Sequence, residues 1–261
     1  MTFTHHPKVV LSPKAKLARL TTLRQRIDLL KNLGVEIVVP LTFTREFAAL
    51  SARQFIELLR QYLRMEGLVI GPDFALGRGR EGTVASLRAL GRELGFSVEV
   101  VQPLILEDSV VSSTAIRGAL ARGDMKTTSR LLGRPYRLGG PVVGGNQRGY
   151  GLGYPTANIR VDADQALPAD GVYATLAYLG DRTYESVTNI GVRPTFDDGE
   201  RMVEVFLMDF DADIYGRDLS IELIDRLRGE VKFASPEELS RQIATDVRGA
   251  KTILGEPAAK E

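Results

Sequence analysis

The sequence contains no cysteine and only two histidines, which lie side by side as His5 and His6. Without cysteine, the chain can form neither a disulfide nor a thiolate metal site, and this composition fits a reducing compartment. With two adjacent histidines, a metal site built from several histidine ligands is also excluded. These absences predict a cytoplasmic protein.

The sequence also lacks a strong net charge and a long apolar run. Its formal net charge is +1, which gives no electrostatic indication of nucleic-acid or membrane binding. No apolar stretch approaches the roughly 18 residues that span a bilayer, and residues 1–7 do not resemble a signal peptide. We therefore expect no nucleic acid and no membrane as a partner, and the sequence leaves the oligomeric state open.

The first half of the chain alternates between helical and strand patterns. Apolar residues recur at helical spacing in three segments, 17–33, 51–65 and 83–94. In the second of these, the predicted buried stripe is Phe55, Leu58, Leu59 and Tyr62. Short β-branched runs follow at 35–40, 68–71 and 98–101. Strands that alternate with helices indicate a parallel α/β sheet.

From about Leu138 onward, strand patterns follow one another without intervening helices. They lie at 172–179, 184–190, 202–210 and 219–227, and strands at such short spacing favour an antiparallel barrel or sandwich. A final helix is predicted from Ser235 as N-cap, with a capping box to Glu238. Its predicted buried face is Leu239, Ile243, Val247 and Leu254. We place the two domains at 1–123 and 124–261.

A glycine-rich segment precedes a Pro-Thr-Ala-Asn sequence in the second half. Five glycines occur in the ten residues 144–153, and Thr156 and Asn158 follow. Glycines let backbone N–H groups converge on an anion, and small side-chain oxygens suit a hard cation. The segment lacks the Gly-Lys-Ser/Thr ending of a P-loop. A phosphate site and a loop without a ligand are both compatible with this pattern.

Glu204 is the other unusual residue, because it lies in the otherwise apolar run 202–208. A carboxylate in such a run is costly unless it is paired or used. It is either a catalytic group or the outward-facing residue of an amphipathic strand.

Six motifs of the second half occur together in one order. They are residues 131–136, 154–158 (Tyr-Pro-Thr-Ala-Asn), 189–196 (Asn-Ile-Gly-Val-Arg-Pro-Thr-Phe), 203–210, 214–216 and 227–233 (Leu-Arg-Gly-Glu-Val-Lys-Phe). In this order the set closely resembles the riboflavin kinase module of the prokaryotic bifunctional riboflavin kinase/FAD synthetase family, over about 131–254.

The resemblance implies an antiparallel riboflavin-kinase β-barrel with a C-terminal helix, and ATP-dependent phosphorylation of riboflavin to FMN. It implies Glu204 as the general base and Mg²⁺ held by Thr156 and Asn158. The implied phosphate-binding glycines are Gly145, Gly149, Gly151 and Gly153. The implied flavin-binding residues are Arg228, Glu230 and Phe233. A surface ion pair remains the alternative for Arg228, and core packing remains the alternative for Phe233.

The first half resembles the adenylyltransferase module of the same family, which implies an incomplete Rossmann-like nucleotidyltransferase domain. The matching segments are 2–7, 71–77 and 111–117. The implied ATP-binding residues are His6, Asp73, Ser113, Thr114 and Arg117. For Ser113, Thr114 and Arg117 the alternative is a plain helix N-cap followed by a surface arginine.

The family's opening strand and its His-x-Gly-His motif have no match in this sequence. Those histidines would stabilise charge on the ATP α-phosphate. Either the synthetase activity has been lost, or Met1 is an internal methionine of a longer chain, and the intact phosphate-binding turn at 112–117 favours the second explanation. We therefore expect this chain to form FMN and no FAD, with a catalytically silent flavin- or nucleotide-binding module as the alternative.

Overall fold

The computed structural model describes residues 1–12, 17–144, 153–192 and 201–255. The chain folds as two units, the first comprising Met1–Leu17 and Leu23–Val111 and the second Ala18–Thr22 and Ser112–Glu261. This division falls earlier than the expected 123/124 boundary, because Leu120 packs into the core of the second unit. As a boundary between family modules, 123/124 stays a prediction.

The first unit contains short strands and five helices among its described residues. The helices are α1 Pro7–Leu11, α2 Leu23–Asn32, α3 Arg45–Ala48, α4 Ala52–Leu63 and α5 Val84–Leu94. The strands are β1 Thr2–Phe3, β2 Pro40–Leu41, β3 Gly67–Ile70, β4 Ala75–Leu76, β5 Gly82–Thr83, β6 Ser97–Val100, β7 Ile105–Leu106 and β8 Ser109–Val110. β1 pairs with β2 and β3 with β6, both in parallel, as the alternating pattern predicts. The other two pairs, β4–β5 and β7–β8, are antiparallel.

Two expected elements of the first half are shorter than predicted. The helix expected over 17–33 begins only at Leu23, because residues 18–22 belong to the second unit, where Arg19 bridges to Gln165. Of the strand expected over 35–40, only Pro40 is in a strand, and Ile37 is 76% exposed. The partner strand β1 is two residues long and pairs only with Pro40–Leu41.

The buried face of α4 lies one turn nearer its N-terminus than predicted. Phe55 and Leu59 are buried as expected, but Leu58 and Tyr62 are 37% and 72% exposed, and Ala52 and Ile56 are buried in their place. Both stripes satisfy the i, i+3, i+4, i+7 spacing of a helix face, so the spacing alone does not choose between them. The helix begins with a complete capping box between Ser51 and Gln54.

The second unit is a closed antiparallel barrel with three helices. Its strands are β9 Tyr136–Val143, β10 Ala157–Ile159, β11 Gly171–Leu179, β12 Arg182–Val192, β13 Arg201–Leu207 and β14 Asp218–Arg228. They are ordered β10-β13-β12-β11-β14-β9 around the barrel. The helices are α6 Ser113–Arg122, α7 Met125–Leu132 and α8 Pro236–Gly255. The predicted barrel with a C-terminal helix is confirmed.

Side chains on alternate positions of the barrel strands fill two separate clusters. The interior contains fully buried residues such as Tyr136, Ile190 and Ile221. The outer cluster lies under α8, where Val247 and Leu254 pack against Val172, Val187 and their neighbours. The helix therefore covers part of the outside of the barrel, as its predicted apolar face requires.

The N-terminus of α8 follows the predicted capping pattern in part. The amide N–H of Glu238 donates to the hydroxyl oxygen of Ser235 at 3.3 Å, but the Glu238 carboxylate accepts from the amide of Ala234, not of Ser235. Among the described residues, no helix has both the length and the apolar character needed to cross a membrane.

Candidate active site

Register places four polar side chains in one row across the barrel strands. Asn158 of β10 is opposite Glu204 of β13, and Glu204 is opposite Asn189 of β12. Asn189 is opposite Val172 of β11, which is opposite Arg228 of β14. Directly opposed residues of antiparallel strands point to the same face of the sheet. Because Val172 faces α8, this polar row lies on the outside of the barrel.

Glu204 is half-buried at the centre of the row. Its neighbours in sequence, Val203 and Val205, are buried inside the barrel, so alternation along the strand turns the carboxylate outward. Glu204 therefore points outward, as expected for an amphipathic strand, and Asn158 and Asn189 lie on the same outward face. An outward position and a chemical role are thus compatible.

Asn158 carries an unsatisfied polar atom. The residue is only 6% exposed, and within the described part of the chain no group donates to its side-chain Oδ1. An unsatisfied buried acceptor costs about 1–3 kcal/mol. A ligand or cation that contacts this oxygen would recover that cost.

A cavity of about 390 Å³ opens beside the N-terminal end of β10. Its lining residues are Val142, Pro155, Thr156, Ala157, Leu207, Phe210, Asp211, Ala212, Asp213, Ile214 and Tyr215. One oxygen of Asp213 accepts a hydrogen bond from the amide of Tyr215 at 2.8 Å and so shapes the loop. Mostly apolar walls with a few polar groups are typical of small-molecule sites.

Arg228 is held at the other end of the row by a buried ion pair. Its Nε donates to both carboxylate oxygens of Asp246 at 3.0 and 3.1 Å, and its Nη2 donates to Oδ2 at 2.8 Å. Its Nη1 donates to the carbonyl oxygen of Gly229 at 3.0 Å. The guanidinium carbon lies 5.6 Å from the centroid of the Phe233 ring, within the range of a cation–π contact.

The Glu230 side chain lies against the backbone of β12 at Gly191. A Cβ placed on Gly191 would lie 1.7 Å from Glu230 Oε1. The three residues expected to contact flavin are therefore grouped with Gly191 at this end of the row.

Both halves of the chain match models of known protein families. A family model described as riboflavin kinase matches residues 132–254, and one described as FAD synthetase matches residues 1–115. The bifunctional riboflavin kinase/FMN adenylyltransferase of Escherichia coli (strain K12) is 39% identical over 257 residues, which are 98% of this chain and 82% of the relative.

The chain belongs to the bifunctional riboflavin kinase/FMN adenylyltransferase family. A relative with the same description from Haemophilus influenzae is 40% identical and covers 97% of this chain, with 82% of its own length matched. A crystal structure from Streptococcus pneumoniae, described as a macrolide-efflux protein, superimposes with a TM-score of 0.87 at 33% identity. The superposition covers 95% of this chain and 81% of the Streptococcus pneumoniae chain.

In this member of the family, some expected kinase residues fall outside the described part of the chain. Gly145, Gly149 and Gly151 lie there, and their expected role stays a prediction. Gly153 is described, with a φ of +80° that favours glycine. Thr156 forms part of the cavity wall next to it.

The residues expected to bind ATP in the adenylyltransferase half are distributed over both units. In the first unit, the His6 ring caps α1 by accepting from the amide of Lys8 at 3.1 Å. Asp73 is exposed, and its carbonyl oxygen accepts from Arg80 Nη2 at 3.1 Å. Their expected ATP contacts remain predictions.

In the second unit, Ser112 and not Ser113 is the N-cap of α6, since its hydroxyl accepts from the amide of Ala115 at 3.2 Å. Ser113 and Thr114 are exposed in the first turn of that helix. The Arg117 Nε donates to the carbonyl oxygen of Ala18 at 2.7 Å. A structural role is thus visible for Arg117, and phosphate contact stays a prediction for all three expected residues.

Three parts of the site were missed by reasoning from the sequence. Asn189 stands at the start of a motif that resembles the family, but no local pattern marks it as a neighbour of Glu204. No local pattern marks Asp246, because the apolar spacing of α8 indicates Val247 and Leu254 as its buried residues. The cavity-lining residues 210–215 are only partly covered by a motif, and nothing local indicates a cavity.

Proposed function

We propose that the second unit transfers the γ-phosphoryl group of ATP to the terminal hydroxyl of the riboflavin ribityl chain, forming FMN and ADP. The proposal rests mainly on the strand register that sets Glu204 between Asn158 and Asn189. Thr156, two residues before Asn158, lines the cavity. Phosphoryl transfer depends mainly on positioning and charge neutralisation, and this row supplies both kinds of group.

Thr156 and Asn158 are the residues proposed to hold Mg²⁺. The unsatisfied Oδ1 of buried Asn158 and the Thr156 hydroxyl are oxygen ligands of the kind that Mg²⁺ prefers, and this ion keeps several waters or phosphate oxygens as further ligands. In the described residues, no group of three or more His, Cys, Asp and Glu side chains could hold a metal. A bound Mg²⁺ would neutralise charge on the phosphates during transfer.

Glu204 is the proposed general base. Its carboxylate would accept the proton of the ribityl hydroxyl as that oxygen bonds to the γ-phosphorus and the bond to the ADP oxygen breaks. Such proton transfer contributes about 10²–10⁴-fold to a rate. The cavity is proposed to take the base of ATP, and Arg228, Glu230 and Phe233 the flavin ring.

The kinase proposal predicts that Glu204→Gln removes turnover and spares binding. With ATP, Mg²⁺ and riboflavin, we expect the unaltered chain to form FMN. In Glu204→Gln, kcat should fall by about 10²–10⁴-fold, because the glutamine amide cannot act as a base for the proton of the ribityl hydroxyl. Separation of flavins by chromatography measures the product, and nucleotide titration measures ATP binding.

Glu185→Gln is the matched control, since this residue also points outward on β12, four positions from Asn189. Its activity should equal that of the unaltered chain. Turnover of Glu204→Gln near the parental rate would remove Glu204 from the mechanism. Flavin binding without FMN formation at any Mg²⁺ concentration would instead support a silent binding module, which the family matches do not favour.

Adenylyl transfer from ATP to FMN is the second candidate function, favoured by the FAD synthetase match over residues 1–115. Incubation with FMN and ATP separates it from the kinase reaction, because FAD is then the only new flavin. The same incubation tests the expectation that this chain forms FMN and no FAD. FAD formation at a rate comparable to FMN formation would establish both activities. We place these reactions in the cytoplasm, with small molecules as substrates.

A further inference from the structure

A carboxylate is buried in the middle of the C-terminal helix. Asp246 is 5% exposed and precedes Val247, which packs with Ala250 in the apolar cluster under α8. A buried charge is costly unless it is paired and fully hydrogen-bonded. The partners of Asp246 therefore indicate what this residue is for.

Both oxygens of Asp246 accept hydrogen bonds. Arg228 approaches with Nε and Nη2 side by side, the bidentate geometry that fixes the plane of a guanidinium. Gln242, one turn earlier on the same helix face, donates from Nε2 to Asp246 Oδ1 at 2.8 Å. Gln242 thus holds the carboxylate, and the carboxylate holds the arginine.

Stability alone does not account for this arrangement. Replacing a buried ion pair by apolar residues of similar volume is often neutral or stabilising, and Ala250, one turn after Asp246 on α8, is buried in an apolar cluster. Arg228 lies in the same cross-strand row as Asn189 and Glu204. An arginine fixed at one end of this row is oriented relative to the proposed reacting groups.

We propose that Asp246 and Gln242 are positioning residues that orient Arg228 for the flavin ring, an inference that rests on the proposed kinase function. Asp246 engages Nε and one N–H of Nη2, and the Gly229 carbonyl oxygen engages one N–H of Nη1. One N–H of Nη1 and one N–H of Nη2 remain, and these contacts fix the direction in which both of them point. They would donate to carbonyl oxygens of the flavin ring.

The charge of the pair also suits an uncharged ring. The Asp246 carboxylate neutralises the Arg228 guanidinium at a distance of 2.8 Å. The pair therefore offers hydrogen-bond donors without a net charge, which favours a neutral acceptor over a second phosphate. Phe233, 5.6 Å from the guanidinium carbon, adds an apolar surface beside it.

The test is riboflavin affinity, measured by quenching of flavin fluorescence without ATP and by the KM for riboflavin in turnover. Asp246→Asn keeps the shape and loses the charge, so we expect riboflavin Kd and KM to rise about tenfold, as for loss of a hydrogen bond to a charged group. The KM for ATP should change less than about twofold. Gln242→Ala should raise the same riboflavin constants by a smaller factor.

A double-mutant cycle shows whether Asp246 acts through Arg228. Arg228→Lys keeps a charge but loses the planar fork. In that background, Asp246→Asn should change riboflavin Kd by less than about twofold, since the group it orients is gone. Asp225→Asn is the matched control, because Asp225 lies on the same strand and pairs with Lys126 at 3.4 Å. Its riboflavin constants should equal those of the unaltered chain.

Each outcome bears on the proposal. If the fold-changes in riboflavin Kd caused by Asp246→Asn and Arg228→Lys multiply fully in the double variant, Asp246 has only a structural role. A lowered Tm with unchanged riboflavin Kd would lead to the same conclusion. If Asp246→Asn does not fold, Gln242→Ala decides, and unchanged riboflavin constants in that variant overturn the proposal. Absence of FMN formation by the unaltered chain contradicts the kinase function itself, whereas FMN formation with wild-type affinity in Asp246→Asn contradicts only the positioning role.

Discussion

At the scale of single residues, the proposed site uses strand positions that the barrel interior does not need. Val203 and Val205 fill the interior, which leaves Glu204 on the outer face. Asn158 is the exception, because it is buried although it belongs to the same outward row. Its unsatisfied Oδ1 is the kind of locally unfavourable feature that persists at functional sites.

Asn158→Leu is predicted to have opposite effects on stability and activity. The two side chains are similar in volume, and removing an unsatisfied buried acceptor is neutral or stabilising. Loss of the proposed ligand should raise the Mg²⁺ concentration for half-maximal FMN formation by about tenfold or more. Magnesium titration of FMN formation and thermal unfolding measure the two effects.

Thr175→Val is the control for this prediction. Thr175 is buried in the barrel, and its hydroxyl bonds to those of Ser186 and Thr188 at 2.7 and 2.8 Å. Its replacement should cost about 1 kcal/mol of stability and leave the Mg²⁺ requirement unchanged. An Asn158→Leu variant with both a normal Mg²⁺ requirement and full activity would exclude this residue as a ligand.

At the scale of elements, close contacts decide which helix glycines can be replaced. In α5, a Cβ on Gly91 would lie 2.6 Å from the backbone oxygen of Phe96, and backbone cannot yield easily. In α6, a Cβ on Gly118 would meet only the end of the flexible Arg122 side chain, at 3.5 Å. Two glycines in similar helical positions therefore differ in what surrounds them.

Gly91→Ala is predicted to destabilise the chain by about 1–3 kcal/mol, the usual cost of overpacking. Gly118→Ala should stabilise it by about 0.5–1 kcal/mol, because alanine loses less backbone entropy in a helix. Urea denaturation followed by circular dichroism measures both changes. The same sign for the two variants would refute this reading of the contacts.

The pairing of β11 with β14 produces a pH dependence at high pH. Burial, followed by a 2.7 Å hydrogen bond to the Glu222 carboxylate, raises the pKa of Tyr178 to about 12. Because the folded-state pKa is above the ordinary value of about 10, the stabilising contribution is fully present below about pH 10. It is lost as the pH rises toward about 12.

Tyr178→Phe is predicted to flatten this alkaline loss of stability. The free energy of unfolding should fall less steeply with pH in the variant, since one group that binds its proton more tightly in the folded state is removed. Burial also raises the pKa of Tyr136 and Tyr173, so part of the slope should remain. Urea unfolding at a series of alkaline pH values measures the slopes, and identical slopes would show that Tyr178 titrates alike in both states.

At the scale of the whole molecule, the two units differ in how their strands are paired. Every strand of the barrel has a partner on both sides. In the described part of the first unit, the parallel strands form pairs only, β1 with β2 and β3 with β6. Two-stranded sheets are marginal unless other elements cover them, and Val69 of β3 is 65% exposed.

We predict that amide hydrogen exchange is slowest in β11, β12 and β14 and distinctly faster in β3 and β6. Strands bonded on both edges open only with the barrel, whereas a two-stranded pair opens locally at a lower free energy. Exchange of the full chain followed by mass spectrometry gives the rates by segment. Protection in β3 equal to that in β11 would contradict the prediction.

Local patterns in the sequence are enough to assign the fold class of both halves. Alternation with a period of two and apolar spacing near 3.6 are local properties, so the change from α/β to antiparallel β was visible without coordinates. Motif order similarly pointed to the family, and to Glu204, Thr156 and Asn158. The start of α2 and the buried face of α4 were misplaced, because neighbouring residues satisfied the same local pattern.

Which of these residues lie next to each other depends on how the chain packs in three dimensions. The opposition of Asn158, Glu204 and Asn189 depends on strand register around a closed barrel, and a shift by one residue would turn each side chain to the other face. The pairing of Arg228 with Asp246 joins residues on different elements. Such contacts follow from packing between distant parts of the chain, which local spacing does not record.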